Sequence, residues 1–259
     1  MGIPLLIRGA PIPPAARGES PEATSPIVGA LAQALPFELS VIAGATDTIG
    51  FLGLGGLFTA HISGNLVVLA ARVIAGSPAT LSHVLAVPVF MLALLLACLV
   101  ARAIAWTGRS SIRPLLLVQL LLIAGFFGLS VAPVATEGGD AARTIVAGMV
   151  GVAAMAVQNA LVQVGLKNTP STAVMTTNLT RLMQDFSVLL VGRDATEIAK
   201  AKSRARQTVP VVIGFAVGCG AGAAAEAATG LWSLLLPTAL ALCAFATASS
   251  AAVAAEVQR

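Results

Sequence analysis

The chain has 259 residues, of which 57% are hydrophobic and only 10% are charged, and its formal net charge is +4. Because an average soluble domain carries about 25% charged residues, this composition excludes a water-soluble globular domain and indicates a multi-pass helical membrane protein. The positive charge does not indicate nucleic-acid binding, since most basic residues lie between apolar segments, as the positive-inside rule expects.

Residues 1–35 are rich in proline, alanine and glycine and hold no uninterrupted apolar stretch after a basic start. Such a segment is a poor secretory signal, and its composition predicts a disordered N-terminal tail on the cytoplasmic side. The three cysteines are isolated within apolar segments, which indicates small buried side chains. We therefore expect no disulfide, no metal site and no cofactor.

Eight apolar segments follow the tail. The second is too short to cross a bilayer as a helix, because about 20 residues are needed. The sixth is long enough but carries Arg181 and Asp185, which are costly in a lipid-facing span. The sequence therefore predicts an all-α polytopic membrane protein with about six transmembrane helices plus two short re-entrant or broken helices. The segments run approximately over residues 36–58, 63–76, 85–106, 114–134, 143–166, 172–191, 209–229 and 231–253.

The two halves of the apolar region share features in the same order. Residues 59–66 resemble residues 172–179, Asp47 corresponds to Asn159, and a Val-Pro-Val triplet occurs once in each half. Chance similarity between apolar helices is the alternative, but these matches in the same order favour an internal duplication. We predict one integral membrane domain made of two repeats, residues 36–142 and residues 143–255.

The distribution of basic residues predicts how the repeats are oriented. If both short segments fold back without crossing, twelve of the fifteen basic residues lie on one side, whereas eight full crossings leave only ten there. The positive-inside rule favours the first arrangement, in which the second repeat is inverted relative to the first. The expected location is a bacterial inner membrane, with both termini in the cytoplasm.

Polar residues begin each short segment: Ser63 and Asn65 in the first half, Thr176 and Asn178 in the second. A helix that starts inside the bilayer leaves N–H groups without intrahelical partners, and hydrocarbon offers no water to satisfy them. These side chains could line a cavity for a polar solute, as the broken helices of transporters do. They could equally be caps that only stabilise the helix starts.

Asp47 is the sharpest single candidate, because an ionisable residue near mid-membrane depth is a functional candidate by default. We expect it to bind a proton or a cation, with Thr48 beside it; a purely structural carboxylate is the alternative. Its counterparts Gln158 and Asn159 repeat the polarity without the charge. Only the first half could therefore change its protonation state at this position.

Asn178, Arg181 and Asp185 lie on one helix face, at spacings of three and four. Arg181 and Asp185 suit an intrahelical ion pair, and a pair between Asp185 and Arg72 of the other repeat is also conceivable. An anion site or a gate is the functional alternative to a structural salt bridge. His61 precedes the first Asn motif, where a pH-sensitive or ligand-facing role is possible.

Gly214, Gly218 and Gly222 form a small-xxx-small face, which is typical of close helix packing within a monomer or between subunits. The chain contains no nucleophile elbow, Walker motif, dinucleotide fingerprint or metalloprotease motif. We therefore expect that the protein is not an enzyme. An intramembrane hydrolase using Ser63 or His61 is the least favoured class.

At these motifs the chain resembles the YoaK-like family of bacterial multi-pass membrane proteins, whose function is unknown. The similarity covers about residues 40–248. It is carried by the stretches 44–47, 50–52, 58–60, 63–65, 158–159 and 176–180 together with Asp185. The resemblance implies a membrane location and a multi-pass architecture, and it only suggests transport.

The leading hypothesis is a small-solute or ion transporter with a polar site at the membrane midplane between two repeats. The alternative is a non-transporting scaffold, assembly factor or sensor, in which the polar motifs are purely structural. The expected partners are the lipid bilayer, an unidentified small polar solute or ion, and possibly further copies of the chain. No nucleic acid is expected.

Overall fold

The computed structural model describes residues 26–76, 81–133, 139–166 and 169–257, and every regular element in those ranges is helical. The all-α fold class is thereby confirmed. The elements are α1 (Pro26–Gly53), α2 (Ile62–Ile74), α3 (Leu81–Trp106), α4 (Ile112–Val131), α5 (Gly139–Ala160), a π-helical segment (Leu161–Gly165), α6 (Met175–Val191), α7 (Ala195–Thr229), a 3₁₀ segment (Gly230–Leu234) and α8 (Leu235–Val257).

Helix α1 begins at Pro26, ten residues earlier than the boundary that the sequence predicts between tail and membrane domain. Proline is favoured in the first turn of a helix, where its missing N–H has no intrahelical partner to lose. The alanines and leucines that follow have high helix propensity. The predicted tail, residues 1–35, is therefore helical from Pro26 onward, and its earlier part lies outside the described residues.

Two buried clusters define the two ends of the helix bundle. The proximal cluster lies near the start of α1, and the distal cluster lies near its finish. The proximal cluster includes Leu39, Ala101, Leu116, Leu161 and Ala244. The distal cluster includes Ile49, Ala86, Phe126, Val152 and Leu234.

The order of these residues gives the direction of each long helix. Helices α1 and α4 pass from the proximal cluster to the distal one, and α3, α5 and α8 pass the opposite way. Helix α7 runs parallel to α1, since Gly214 faces Phe37 and Gly222 faces Ala45 further along both helices. The six long helices therefore alternate in direction along the chain.

Five helical stretches are long and apolar enough to cross a bilayer, judged by length and composition. The last of them, Ala195–Ser249, contains both α7 and most of α8. The 3₁₀ segment separates these two helices, and Gly230 adopts a φ of 58° where the chain turns. The protein is accordingly an integral membrane protein with a polytopic helical fold.

The two short helices lie in excursions that leave and return to the same end of the bundle. Helix α1 ends and α3 begins at the distal end, so the segment that contains α2 enters the bundle from that end and returns to it. The guanidinium of Arg72, late in α2, donates to the Gly55 carbonyl just after α1, which places the finish of α2 distally. The segment with α6 likewise lies between the proximal finish of α5 and the proximal start of α7.

The small-residue face of α7 packs within the monomer, against α1. A Cβ at Gly218 would collide with the carbonyl of Val41, and one at Gly222 would lie 2.9 Å from the backbone of Ala45. Only glycine allows the two backbones to approach so closely. This contact holds α7 against the part of α1 that carries the site.

Candidate functional site

Asp47 anchors the loop that leads into α2. Its Oδ1 accepts hydrogen bonds from three consecutive backbone N–H groups, those of Thr59 (2.8 Å), Ala60 (2.7 Å) and His61 (3.3 Å). The Asp47 side chain is almost fully buried, at 4% exposure. Charge-assisted bonds of this kind are the strong ones, and here they satisfy donors that hydrocarbon would leave unpaired. Asp47 therefore fixes the depth at which α2 begins.

The second oxygen of Asp47 binds a titratable side chain. Oδ2 lies 2.7 Å from Nδ1 of His61, whose side chain is 38% exposed. Because an ionised carboxylate only accepts hydrogen bonds, Nδ1 carries a proton, and Nε2 is the nitrogen that can gain or lose one. The imidazole meets the ring of Phe215 edge-on, with centroids 5.3 Å apart. Asp47 thus orients the imidazole as well as the loop.

The paired asparagines hold the two re-entrant loops. Asn65 is fully buried and forms two bonds with the residue seven positions earlier: its Oδ1 accepts from Phe58 N (2.9 Å), and its Nδ2 donates to Phe58 O (2.8 Å). Asn178 donates from Nδ2 to Ser171 O, again seven positions earlier, at 2.6 Å. The sequence left open whether these side chains bind a solute or only stabilise the helix starts, and these bonds to the backbone fit the stabilising role.

In the second half, neutral groups perform the task that Asp47 performs in the first. The Ser171 hydroxyl accepts from the N–H groups of Ala173 (3.4 Å) and Val174 (3.2 Å). Gln158 donates from Nε2 to the Thr172 hydroxyl at 2.8 Å. The second loop is therefore held without a charged group of its own.

Gln158 also joins the second loop to the long helices. Its Nε2 donates to the Leu39 carbonyl of α1 (2.8 Å), and its Oε1 accepts from Gln119 of α4 (2.7 Å). The side chain is 1% exposed. Gln158 is thus a fully engaged structural residue at the centre of the bundle.

A single cavity of about 300 Å³ connects the starts of the two short helices. Its wall combines hydroxyl, amide and imidazole groups with apolar side chains. Ser63, Thr176 and Gln163 are exposed there, whereas Asn159 is 5% exposed and donates from Nδ2 to its own helix at Met155 O (3.1 Å). The lining consists of residues 60–63, residues 173–176, Asn159, Gln163, Phe90 and Leu94.

The structure does not bring the sequence-predicted site residues together at one place. Ser63, Asn159 and Thr176 line the cavity, but Asp47 approaches it only through His61. Thr48 lies half-buried beside Cys219 of α7 and is not a lining residue. Asn65, Gln158 and Asn178 stabilise the loops and are not among the lining residues, and Arg181 and Asp185 lie at a separate cavity.

Both pairings that the sequence offers for Asp185 are wrong. Asp185, at 2% exposure, accepts from Nε (2.9 Å) and from a terminal nitrogen (2.5 Å) of Arg204 in α7. The reason is that α6 packs along α7, which brings Arg204 to its side. Arg72 lies at the distal end and bonds to Gly55.

Arg181 belongs to a different cavity from the re-entrant helix starts. It lines a separate space of about 430 Å³ with Asp185, Arg204 and Gln207, between α6 and α7. In the described part of the chain, the predicted cluster of Asn178, Arg181 and Asp185 is therefore not one site. Asn178 supports the loop, whereas the two charged residues lie further along α6.

The predicted binding residues do not include His61, although the sequence suggests a pH-sensitive or ligand-facing role for it. They also do not include Gln163, Phe90, Leu94 and Met175. Fourteen positions separate His61 from Asp47, so neither helical nor strand periodicity relates them. The available signal was topological: if the chain folds back after α1, the start of α2 must return to the level of Asp47. The apolar lining residues look like any other membrane-helix residues.

Residues 35–247 match the family described as "Protein of unknown function (DUF1275)". No curated protein and no solved structure shows a significant match. Because the matched range covers most of the chain and includes every candidate site residue, the protein belongs to this DUF1275 family.

Proposed function

We propose that the protein is a small membrane transporter whose solute binds in the cavity between the two re-entrant helix starts. The observation that carries this proposal is the lining itself, to which residues 60–63 and residues 173–176 contribute together. Interrupted helices that meet around a polar cavity are the usual architecture of solute sites in secondary transporters.

The proposal includes an inverted internal repeat. Asn65 and Asn178 each bond to the backbone seven positions earlier, in segments that start from opposite ends of the bundle. Two halves of opposite orientation around one site could expose it alternately to the two sides by rocking against each other. A pair of structurally equivalent half-helices supports that movement.

We place the protein in a bacterial inner membrane with its termini in the cytoplasm, in line with its resemblance to the YoaK-like family. Arg109 in the linker between α3 and α4 and Arg113 at the start of α4 lie at the proximal end, as does the basic start of α7. The positive-inside rule assigns such an end to the cytoplasm. No catalytic role is proposed.

Cysteine accessibility tests this function without knowledge of the solute. In a chain whose Cys98, Cys219 and Cys243 are replaced by alanine, Ser63→Cys and Thr176→Cys are exposed to a membrane-impermeant thiol reagent from either side of sealed vesicles. Alternating access predicts that both positions react from both sides, since one cavity opens in turn to each.

Two control positions fix the orientation. Arg193→Cys, in the exposed loop before α7, should react from the proximal side only, and Ala75→Cys, after α2, from the distal side only. Reaction of both controls from the same side contradicts the inverted arrangement. Reaction of the cavity positions from one side only contradicts transport.

The competing function is a non-transporting scaffold. One observation favours it: the side chains of Asp47, Asn65 and Asn178 form their hydrogen bonds with the loop backbone. In that case the cavity is a packing defect that is accessible from only one side of the membrane. One-sided labelling together with correct controls supports this alternative.

A further inference from the structure

We propose that His61 holds an exchangeable proton at the cavity wall, and that the solute is a small anion bound together with that proton. This inference rests on the proposed function and specifies the chemistry of the same site. It concerns reversible proton binding only, so no covalent bond is made or broken.

The hydrogen-bond geometry makes His61 suitable for this role. Nδ1 is committed to Asp47 at 2.7 Å, and the other Asp47 oxygen is occupied by three backbone N–H groups. Neither contact uses Nε2 of the partly exposed ring. A proton arriving from the cavity therefore binds at Nε2, while the contact with Asp47 remains intact and stabilises the imidazolium.

The protonation state of His61 determines the charge at the cavity wall. Asp47 contacts it from α1 and Phe215 from α7, where Cys219 lies near Asp47. Phe90 and Leu94 of α3 and Asn159 of α5 line the same cavity. Among the described lining residues, His61 is the only titratable one. The pair formed with Asp47 carries a net charge of −1 without the proton and zero with it.

That change in charge couples the binding of the proton to the binding of an anion. An anion approaching the unprotonated pair meets the Asp47 charge, whereas the protonated pair is neutral and offers an N–H donor. The hydroxyls of Ser63 and Thr176 add donors, and both short helices point their positive N-terminal ends toward this region. By linkage, each ligand raises the affinity for the other by the same factor.

The cavity also limits the solute. Its volume of about 300 Å³ lies at the small end of ligand sites. Apolar contacts from Phe90, Leu94 and Met175 complement the polar groups. A short monocarboxylate combines one anionic head with a small apolar body and fits both features.

Nuclear magnetic resonance of the full chain in lipid nanodiscs tests the proposal, with ¹⁵N-labelled histidine observed between pH 5 and pH 9. The chain has two histidines, so the His61 signal is assigned by its loss in His61→Gln. If that variant does not fold, the through-space contact with Phe215 assigns it instead. Nε2 should gain and lose a proton across this range while Nδ1 stays protonated.

The anion is tested with a matched pair of probes, acetate and its neutral isostere acetamide, at equal ionic strength. Acetate should raise the midpoint of the His61 titration, by about one pH unit at saturation for a tenfold preference for the protonated form. Acetamide should leave it unchanged. Formate and lactate extend the series.

Three results overturn the inference: an Nε2 that does not titrate, a midpoint that no carboxylate moves, or an equal shift by acetamide. These outcomes are independent of cysteine labelling. Two-sided labelling without an anion-dependent shift leaves transport standing and removes the proton-coupled anion. One-sided labelling with a shift preserves the binding site and removes transport.

Discussion

Nδ1 of His61 and Oδ2 of Asp47 lie 2.7 Å apart, although fourteen positions and a chain reversal separate the two residues. The same carboxylate binds the backbone of Thr59, Ala60 and His61 through its other oxygen. One buried side chain therefore joins α1, the re-entrant loop and the cavity wall. The stability of the loop and the chemistry of the cavity depend on the same group.

Removing this carboxylate should destabilise the protein strongly. Asp47→Ala removes the acceptor of three backbone N–H groups, of which those of Thr59 and Ala60 belong to buried residues, and also the partner of the His61 imidazole. We expect a loss of about 3 kcal/mol in the free energy of unfolding, because each unpaired buried group costs about 1 to 3 kcal/mol. Thermal unfolding in detergent, followed by circular dichroism, measures it. The matched control is Asp194→Ala, and an equal effect of the two changes contradicts the role of Asp47.

The two loop asparagines should differ in their contribution to stability. Asn65→Ala removes two hydrogen bonds to Phe58 and should cost about 2 kcal/mol. Asn178→Ala removes one bond to Ser171 and also an Oδ1 that has no partner among the described residues. Its cost should be clearly smaller. Equal or inverted losses in urea unfolding would show that the loops are held in another way.

Two glycines on α7 provide a matched pair. Gly218→Ala places a methyl group against the Val41 carbonyl and should destabilise the protein by about 1 to 3 kcal/mol, as overpacking does. Gly220→Ala meets nothing within 4 Å and should be neutral or stabilise the helix by up to about 1 kcal/mol. Melting temperatures of both variants check this. A similar loss at both positions argues against the close α1–α7 contact.

The ion pair between α6 and α7 should hold the second short helix in place. Arg204→Gln leaves the buried Asp185 carboxylate without its cation, so α6 should become more accessible to protease. Arg206→Gln, which alters an exposed arginine on the same helix, is the control. Adding Asp185→Asn to Arg204→Gln should restore much of the protection. No restoration by the double change indicates that the arginine acts through another partner.

The start of α7 should show a dependence on acid pH. Backbone and side-chain hydrogen bonds from Thr196 hold the pKa of Asp194 below its ordinary value of 3.8. A lowered pKa in the folded state means that the ionised cap stabilises above the ordinary value, and that this contribution is lost as the pH falls through the folded value. The stability difference between the wild type and Asp194→Asn should therefore shrink below pH 4. A constant difference from pH 7 to pH 3 contradicts it.

The sequence was informative wherever hydrophobic length and charge decide the outcome. Apolar segments of sufficient length have to cross the bilayer, and short ones have to turn back. The order of residues also predicts an internal repeat, in which Asp47 corresponds to Asn159 and Asn65 to Asn178, and this correspondence stays a prediction. Segment length and polarity were sufficient to predict the all-helical polytopic fold.

Only the tertiary structure decided which polar groups face the cavity and which hold the backbone. A buried polar side chain takes the partner that the returning loop or the neighbouring helix presents, and sequence spacing does not contain that information. For this reason Asn65 and Asn178 proved to be loop anchors, Asp185 paired with Arg204 from α7, and His61 emerged beside Asp47. Segment length and polarity are local properties of the chain, whereas the choice of a hydrogen-bond partner is made by packing.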